Sequence, residues 1–138
     1  MTKAKPKRSA QGVIPIRGVD FVMYCASDSK KLRAWYQKIF GFKRGAEWNA
    51  YWSEFATDPV TFCINGPNQT KDKKWDWLGE PALALAVHDI HAAAAVCHKR
   101  RIRILKGPVE TSVCWMLFIK DPAGNRLVLH PRKDGTAG

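Results

Sequence analysis

The side chains best suited to chemistry near neutral pH in this chain are four histidines and four cysteines, and their spacing decides what they could do. Cys25, Cys63, Cys97 and Cys114 show no C-x-x-C spacing and sit inside apolar runs, where a free cysteine behaves as a small hydrophobe. They read as buried thiols rather than disulfides or a zinc site. His88 and His91 flank a helix cap in "VHDIH", and their separation is not the i, i+4 that puts two imidazoles on one metal-binding helix face. They read as surface histidines. His130 closes "KDPAGNRLVLHP" (120–131), where period-two alternation puts Arg126, Val128 and His130 on one face of a strand. Arg126 could grip a carboxylate or phosphate in a two-pronged geometry. His130 with Cys63 would supply two ligands of a metal site, and no third is evident.

The elements that must position these groups follow from hydrophobic patterning. "VDFVMYC" is a strand, Ser27 and Asp28 are cap candidates, and Leu32, Trp35, Tyr36 and Ile39 have the i, i+3, i+4, i+7 spacing of one buried helix face, stopped by Gly41. The same grammar recurs from 81 to 105: a strand over 82–87, Asp89 as cap, and an alanine-rich helix over about 90–100. Each cap is followed by an Asp-Pro, 30 residues on at Asp58 and 32 on at Asp121, that leads into another strand. Residues 47–56 in the first half, and 103–108 with 112–120 in the second, leave room for two further strands each. The chain therefore reads as two βαβββ modules, about 17–67 and 81–132, joined by a connector at 68–80 that carries Trp75 and Trp77. Residues 1–16 read as a basic flexible tail and 133–138 as a flexible end.

Bulk properties narrow the function classes. A length of 138 residues suits one domain, and 46% hydrophobic with 25% charged residues is globular composition rather than disorder. No apolar run approaches the roughly 20 residues that span a bilayer, so the expectation is a cytoplasmic protein without membrane contact. The net charge of +11 falls to about +7 once Lys3, Lys5, Lys7 and Arg8 of the tail are set aside. Remaining basic residues are scattered, at Lys30, Lys31 and Arg33, at Lys71 to Lys74 and in "KRRIR" (99–103), with no nucleic-acid-binding signature beside them. A solvated basic exterior is the simpler reading, and a nucleic-acid partner is not expected.

The cap aspartate before "LRAWYQKIFGF", the "DPAGN" turn before the last strand and the paired modules together resemble the vicinal oxygen chelate superfamily, which includes glyoxalase I, extradiol dioxygenases, bleomycin-resistance proteins and fosfomycin-resistance enzymes. The resemblance covers residues 17–132. It implies an α+β fold in which two βαβββ modules form a cupped mixed sheet, with the chemistry on the concave face, and it implies a homodimer. Relatives that are enzymes hold a divalent metal through His, Glu or Gln on the first and fourth strand of each module. Counting seven residues back from each cap gives Phe21 and Ala82 for the first strands; Val128 stands where "DP-x-GN-x-x-E" has its glutamate, and setting Asn65 opposite His130 makes Cys63 the remaining position. A lone thiol cannot hold Mg²⁺, Mn²⁺, Fe²⁺ or Ni²⁺ against water.

Alternation along the second module's first strand puts Leu83, Leu85 and Val87 under the helix and Ala82, Ala84 and Ala86 toward the cup, leaving volume for tryptophans or a guest. The expectation is a small-molecule-binding protein that needs neither metal nor other cofactor. Phe21, Trp48, Trp52, Cys63, Trp115 and Val128 would wall the site, with Arg126 and His130 as polar anchors. The guest would be apolar or aromatic, and anionic rather than cationic because the positive field opposes a cation's approach. Two other readings stay open: a glyoxalase- or dioxygenase-like metalloenzyme with ligands from elsewhere, and an interaction module using its basic surface.

Overall fold

The computed structural model describes residues 12–66 and 80–137. The basic cluster at 3–8 and Trp75 and Trp77 lie outside the described residues. The chain runs β1 (Gly18–Cys25), α1 (Ser29–Phe40), β2 (Arg44–Trp48), β3 (Trp52–Phe55), β4 (Thr61–Asn65), β5 (Ala82–Ala86), α2 (Ile90–Lys99), β6 (Ile104–Glu110), β7 (Trp115–Lys120) and β8 (Arg126–His130). This is βαβββ twice. No described helix is long and apolar enough to cross a membrane.

Both helix starts are made by the aspartates that the patterning picks out. Asp28 accepts from the Lys31 backbone N–H at 3.0 Å, and Asp89 accepts from those of His91 and Ala92 at 2.9 and 3.1 Å. Each satisfies donors that the first helical turn leaves without partners. Gly41 ends α1 with φ of 66°, a left-handed conformation that glycine adopts without a Cβ penalty.

All eight strands form one sheet in the order β2-β3-β4-β1-β5-β8-β7-β6. β1 and β5 meet antiparallel at the centre, and each pairs parallel with the last strand of its own module, β4 and β8. The central pair carries an irregularity: Val19 faces Leu85, but Phe21 faces Ala84, so β1 holds one residue more than β5 between them. That extra residue is Asp20. A bulge of this kind lets two consecutive side chains lie toward one face.

The two faces of the sheet carry separate cores. Beneath α2, Val87, Ile90, Cys97, Leu117, Ile119 and Leu129 pack together, with Leu85 against them. Each buried leucine or isoleucine there contributes about 1.5–3 kcal/mol. On the opposite face Phe21, Met23, Cys63, Ala82, Ala84, Phe118 and Val128 form a second cluster. The alternation expected for β5 thus holds for Leu85, Val87, Ala82 and Ala84, but Leu83 is 36% exposed. It pairs with Val22 at the junction of the modules.

The expected stripe on α1 is only half right. Tyr36 meets Phe42, Phe55 and Phe62, and these rings fill the space between α1 and strands β3 and β4. Trp35 and Ile39, expected on the same face, are 49% and 53% exposed. Trp35 lies one residue, about 100° of helix rotation, from Tyr36 and meets its ring edge-on instead.

The chain ends are also tied more closely than patterning suggests. Ile14 and Ile16, placed in the tail, pack against the cluster beneath α2. The Arg17 guanidinium donates to the Gly135 carbonyl at 2.9 Å, and Lys133 N–H donates to the Val113 carbonyl at 2.9 Å. The ordered fold therefore reaches beyond 17–132 at both ends.

Candidate functional site

The concave face opens into a hollow of about 680 Å³, within the range of small-molecule sites. Its floor is built by alternation: Phe21 and Met23 from β1, Trp52 from β3, Met116 and Phe118 from β7 and Val128 from β8. Asn49, Tyr51, Thr111, Ser112 and Arg132 stand among its polar lining. The alanines of β5 leave the hollow open, because a small side chain at Ala84 lies between Phe21 and Val128 in the paired strands.

Phe21, Cys63, Ala82 and Val128, the positions where metal-dependent relatives carry ligands, all belong to the cluster at this floor. Their only donor atom is the Cys63 sulfur. Cys63 is fully buried, and burial together with the nearby Glu54 carboxylate pushes its thiol far above the usual range, so it stays protonated. No group of three His, Cys, Asp or Glu side chains arranged to hold an ion occurs among the described residues. These residues do not fit a divalent metal.

The expected wall and anchor residues divide into two groups. Phe21, Trp52, Val128 and His130 line the hollow, with Cys63 packed in the cluster at its floor. Trp48 and Trp115 lie elsewhere. Trp48 packs edge-on to Phe55 and has the guanidinium of Arg33 4.6 Å from its ring centroid. Trp115 shares the parity of Leu117 and Ile119, packs against the α2 core and meets the ring of His91. Arg126 has the expected parity, yet its long side chain leaves the hollow: Nε sits 2.9 Å from the Glu80 carboxylate, and Nη1 is buried without a hydrogen-bond partner among the described residues. Arg132, six residues further on, is the guanidinium at the hollow.

Four residues at the rim were not singled out by sequence reasoning. Asp20, the bulge residue, is fully buried and has a side-chain hydrogen bond to His130 Nδ1. Its other oxygen accepts from Arg132 Nη2 at 3.0 Å. Cys114 faces Arg132 across the strand pair and lines the hollow together with His130. Thr111 completes the set, with Oγ1 3.1 Å from Cys114 Sγ. Phe21 packs edge-on to the imidazole, so both consecutive residues of the bulge address His130.

The electrostatics follow from this geometry. Burial alone would lower the imidazolium pKa, but the bonds to Asp20 and Cys114 outweigh it and raise His130 to about 9. Burial would raise the Cys114 thiol, but the bonds from His130 and Thr111 and the imidazolium charge bring it below the ordinary value. Each group thus favours the charged form of the other, the imidazolium lowering the thiol and the thiolate raising the imidazole. Asp20 engages Nδ1, which leaves Nε2 as the ring nitrogen available to a second partner. That arrangement orients a proton donor and does not chelate an ion. It also leaves His130 no role as a partner of Cys63.

Known structures with this architecture include methylmalonyl-CoA epimerase from Streptomyces coelicolor, in complex with 2-nitronate-propionyl-CoA, at a TM-score of 0.70 and 18% identity over 89% of this chain and 99% of that one. The epimerase from Mycobacterium tuberculosis aligns at 0.64 and 18% identity, covering 90% and 92%. A glyoxalase/bleomycin resistance protein/dioxygenase superfamily member from Vibrio splendidus 12B01 aligns at 0.61 and 15% identity, covering 84% and 98%. These likenesses establish the fold. Among curated proteins, no sequence matches the chain. The sequence profile of the Glyoxalase/Bleomycin resistance protein/Dioxygenase superfamily matches residues 18–129, which include the capped strand-helix units, the bulge and the floor of the cup. With that match spanning most of its length, the chain belongs to this superfamily.

Proposed function

We propose that the chain is a metal-independent member of its superfamily that binds a small apolar or aromatic molecule, anionic in preference to cationic, in the cup. The observation that carries this reading is the cup itself. It is a hollow of about 680 Å³ whose floor has phenylalanine, alanine and valine at three of the four positions where metal-dependent relatives carry ligands. Trp52 and Phe118 offer faces for a flat guest, while Asn49 and Arg132 offer donors at the lining. The net charge of +11 favours the approach of an anion.

A thermal-shift screen of aromatic and polyketide-like acids, run in EDTA, tests this. A ligand at a hundred times its dissociation constant should stabilise the fold by about 2.7 kcal/mol with no metal present. Stoichiometric transition metal in protein purified without chelator, with ligand shifts that vanish in EDTA, would overturn it in favour of a metalloenzyme. The proposal includes a homodimer in the cytoplasm, resting on family likeness and on the absence of an apolar spanning helix among the described residues. Sedimentation velocity at micromolar protein should give twice the monomer mass.

A further inference from the structure

We propose that Cys114 is the nucleophile of a covalent site in the cup, adding to the β-carbon of an α,β-unsaturated carbonyl compound held on the apolar floor, with His130 as proton donor. The inference rests on the cup-binding reading and names the class of guest.

Three observations meet at one place. Cys114, His130 and Thr111 all line the hollow, so the thiol is reached from the cup although the residue is buried from bulk solvent. His130 is held by the fully buried Asp20, which is itself fixed by Arg132 at 3.0 Å, and the bridge between Cys114 and Arg132 sets the thiol residue diagonally across the strand pair from the ring. A sulfur nucleophile and a proton-carrying ring thus line one hollow, with an orienting carboxylate bonded to the ring, the set that activated thiols require. Cys25, Cys63 and Cys97 have thiol pKa values raised, chiefly by burial.

The backbone around Cys114 selects the reaction class. Acyl transfer needs free N–H donors beside the nucleophile to hold an oxyanion. Here the N–H groups of Val113 and Cys114 both donate to Thr111 Oγ1, at 3.3 and 3.0 Å, and that of Trp115 donates to the Pro131 carbonyl. Conjugate addition makes no such demand, because charge develops on an oxygen remote from the attacked carbon. Sγ forms a bond to the β-carbon, the C=C π electrons move to the carbonyl as an enolate, and the imidazolium Nε2 proton passes to the α-carbon. The result is a thioether and a neutral imidazole, with no oxidant and no leaving group. Asp20 is a positioning residue, keeping the ring turned so that Nε2 meets the sulfur.

N-ethylmaleimide, itself a conjugated acceptor, tests the site on the native protein, with peptide mass spectrometry to locate the adduct and rates measured across pH. The titratable or charged groups facing the pair are Asp20, Arg132 and Asp134, with Glu54 across the cup. The expected outcome is one adduct per chain, on Cys114, forming at pH 6 about tenfold faster than with free cysteine. Cys114→Ser should abolish it, and His130→Gln should move the rate profile toward that of an ordinary thiol, near pH 8.5. Should either variant misfold, the wild-type adduct map and rate profile decide alone. Labelling of Cys25 ahead of Cys114, or a Cys114 profile that rises only near pH 8.5, would overturn the proposal. The anionic dye 8-anilinonaphthalene-1-sulfonate separates the two levels. Dye that binds while Cys114 stays unreactive in its absence removes the covalent step and leaves the cup; no dye bound and no adduct remove both.

Discussion

Asn65 and His130 end the last strands of the two modules and occupy equivalent registers, facing Cys25 and Ala86 across their parallel partners. Both are buried, but one is a neutral amide and the other an imidazole bonded to a buried carboxylate. The difference comes from one residue. Asp20 is accommodated by a bulge in β1, and the bulge puts a carboxylate in contact with the second module's histidine. The repeat builds the cup, and the break in the repeat builds its reactive rim.

Substituting Asp20 should separate the modules most sharply. Asp20→Ala leaves His130 and Arg132 without their shared acceptor and should cost about 3–5 kcal/mol in urea unfolding, because removing one partner of a buried charged set strands the others. Asn65→Ala should cost about 1 kcal/mol, the scale of an ordinary hydrogen bond. Equal costs would mean that the bulge adds nothing to the repeat.

The pH dependence sharpens the same contrast. His130 has a folded pKa raised to about 9. Its contribution is therefore fully present below its unfolded value near 6.5 and is lost as pH rises through about 9. Cys114, with its pKa depressed, works in the opposite sense: its contribution is present above the unfolded thiol value and is lost as pH falls through the folded one. His130→Gln should thus destabilise by roughly 2–3 kcal/mol at pH 6 and by less at pH 10, read as the difference in Tm from wild type. A gap independent of pH would show that the ring is not charged in the folded protein.

A smaller effect distinguishes the helix starts. Asp89 satisfies two backbone donors and Asp28 one. Asp89→Ala should cost about 1.5 kcal/mol and Asp28→Ala about 1 kcal/mol, measured by chemical denaturation.

How much was legible in the sequence depends on whether a residue's role follows from period. Caps at Asp28 and Asp89, the stop at Gly41 and the cup face of Ala82 and Ala84 follow from local spacing, which backbone hydrogen bonding enforces. Asp20 could not be found that way, because counting by twos assumes no bulge, and strict alternation would turn it away from Phe21 rather than let both address His130. "SVCWMLFIK" is apolar on both faces, so alternation gave no sign that Trp115 points to the helix side and Cys114 to the cup. Trp48 was drawn out of the site by Arg33, a contact across elements that no spacing announces. Arg126 illustrates reach: its parity is right, but its stem is long enough to carry the guanidinium to Glu80. A signal for the rim did exist in the sequence, in the arginine two residues past His130.

The direct test of a metal-free cup is dye binding in EDTA, comparing wild type with Ala84→Phe, which fills the floor, and Trp115→Phe, which alters only the helix side. Calorimetry with 8-anilinonaphthalene-1-sulfonate should give one site per chain in wild type and in Trp115→Phe and none in a folded Ala84→Phe, with no change when Mg²⁺, Mn²⁺ or Ni²⁺ is added. Binding that survives Ala84→Phe, or that requires one of those ions, would contradict it.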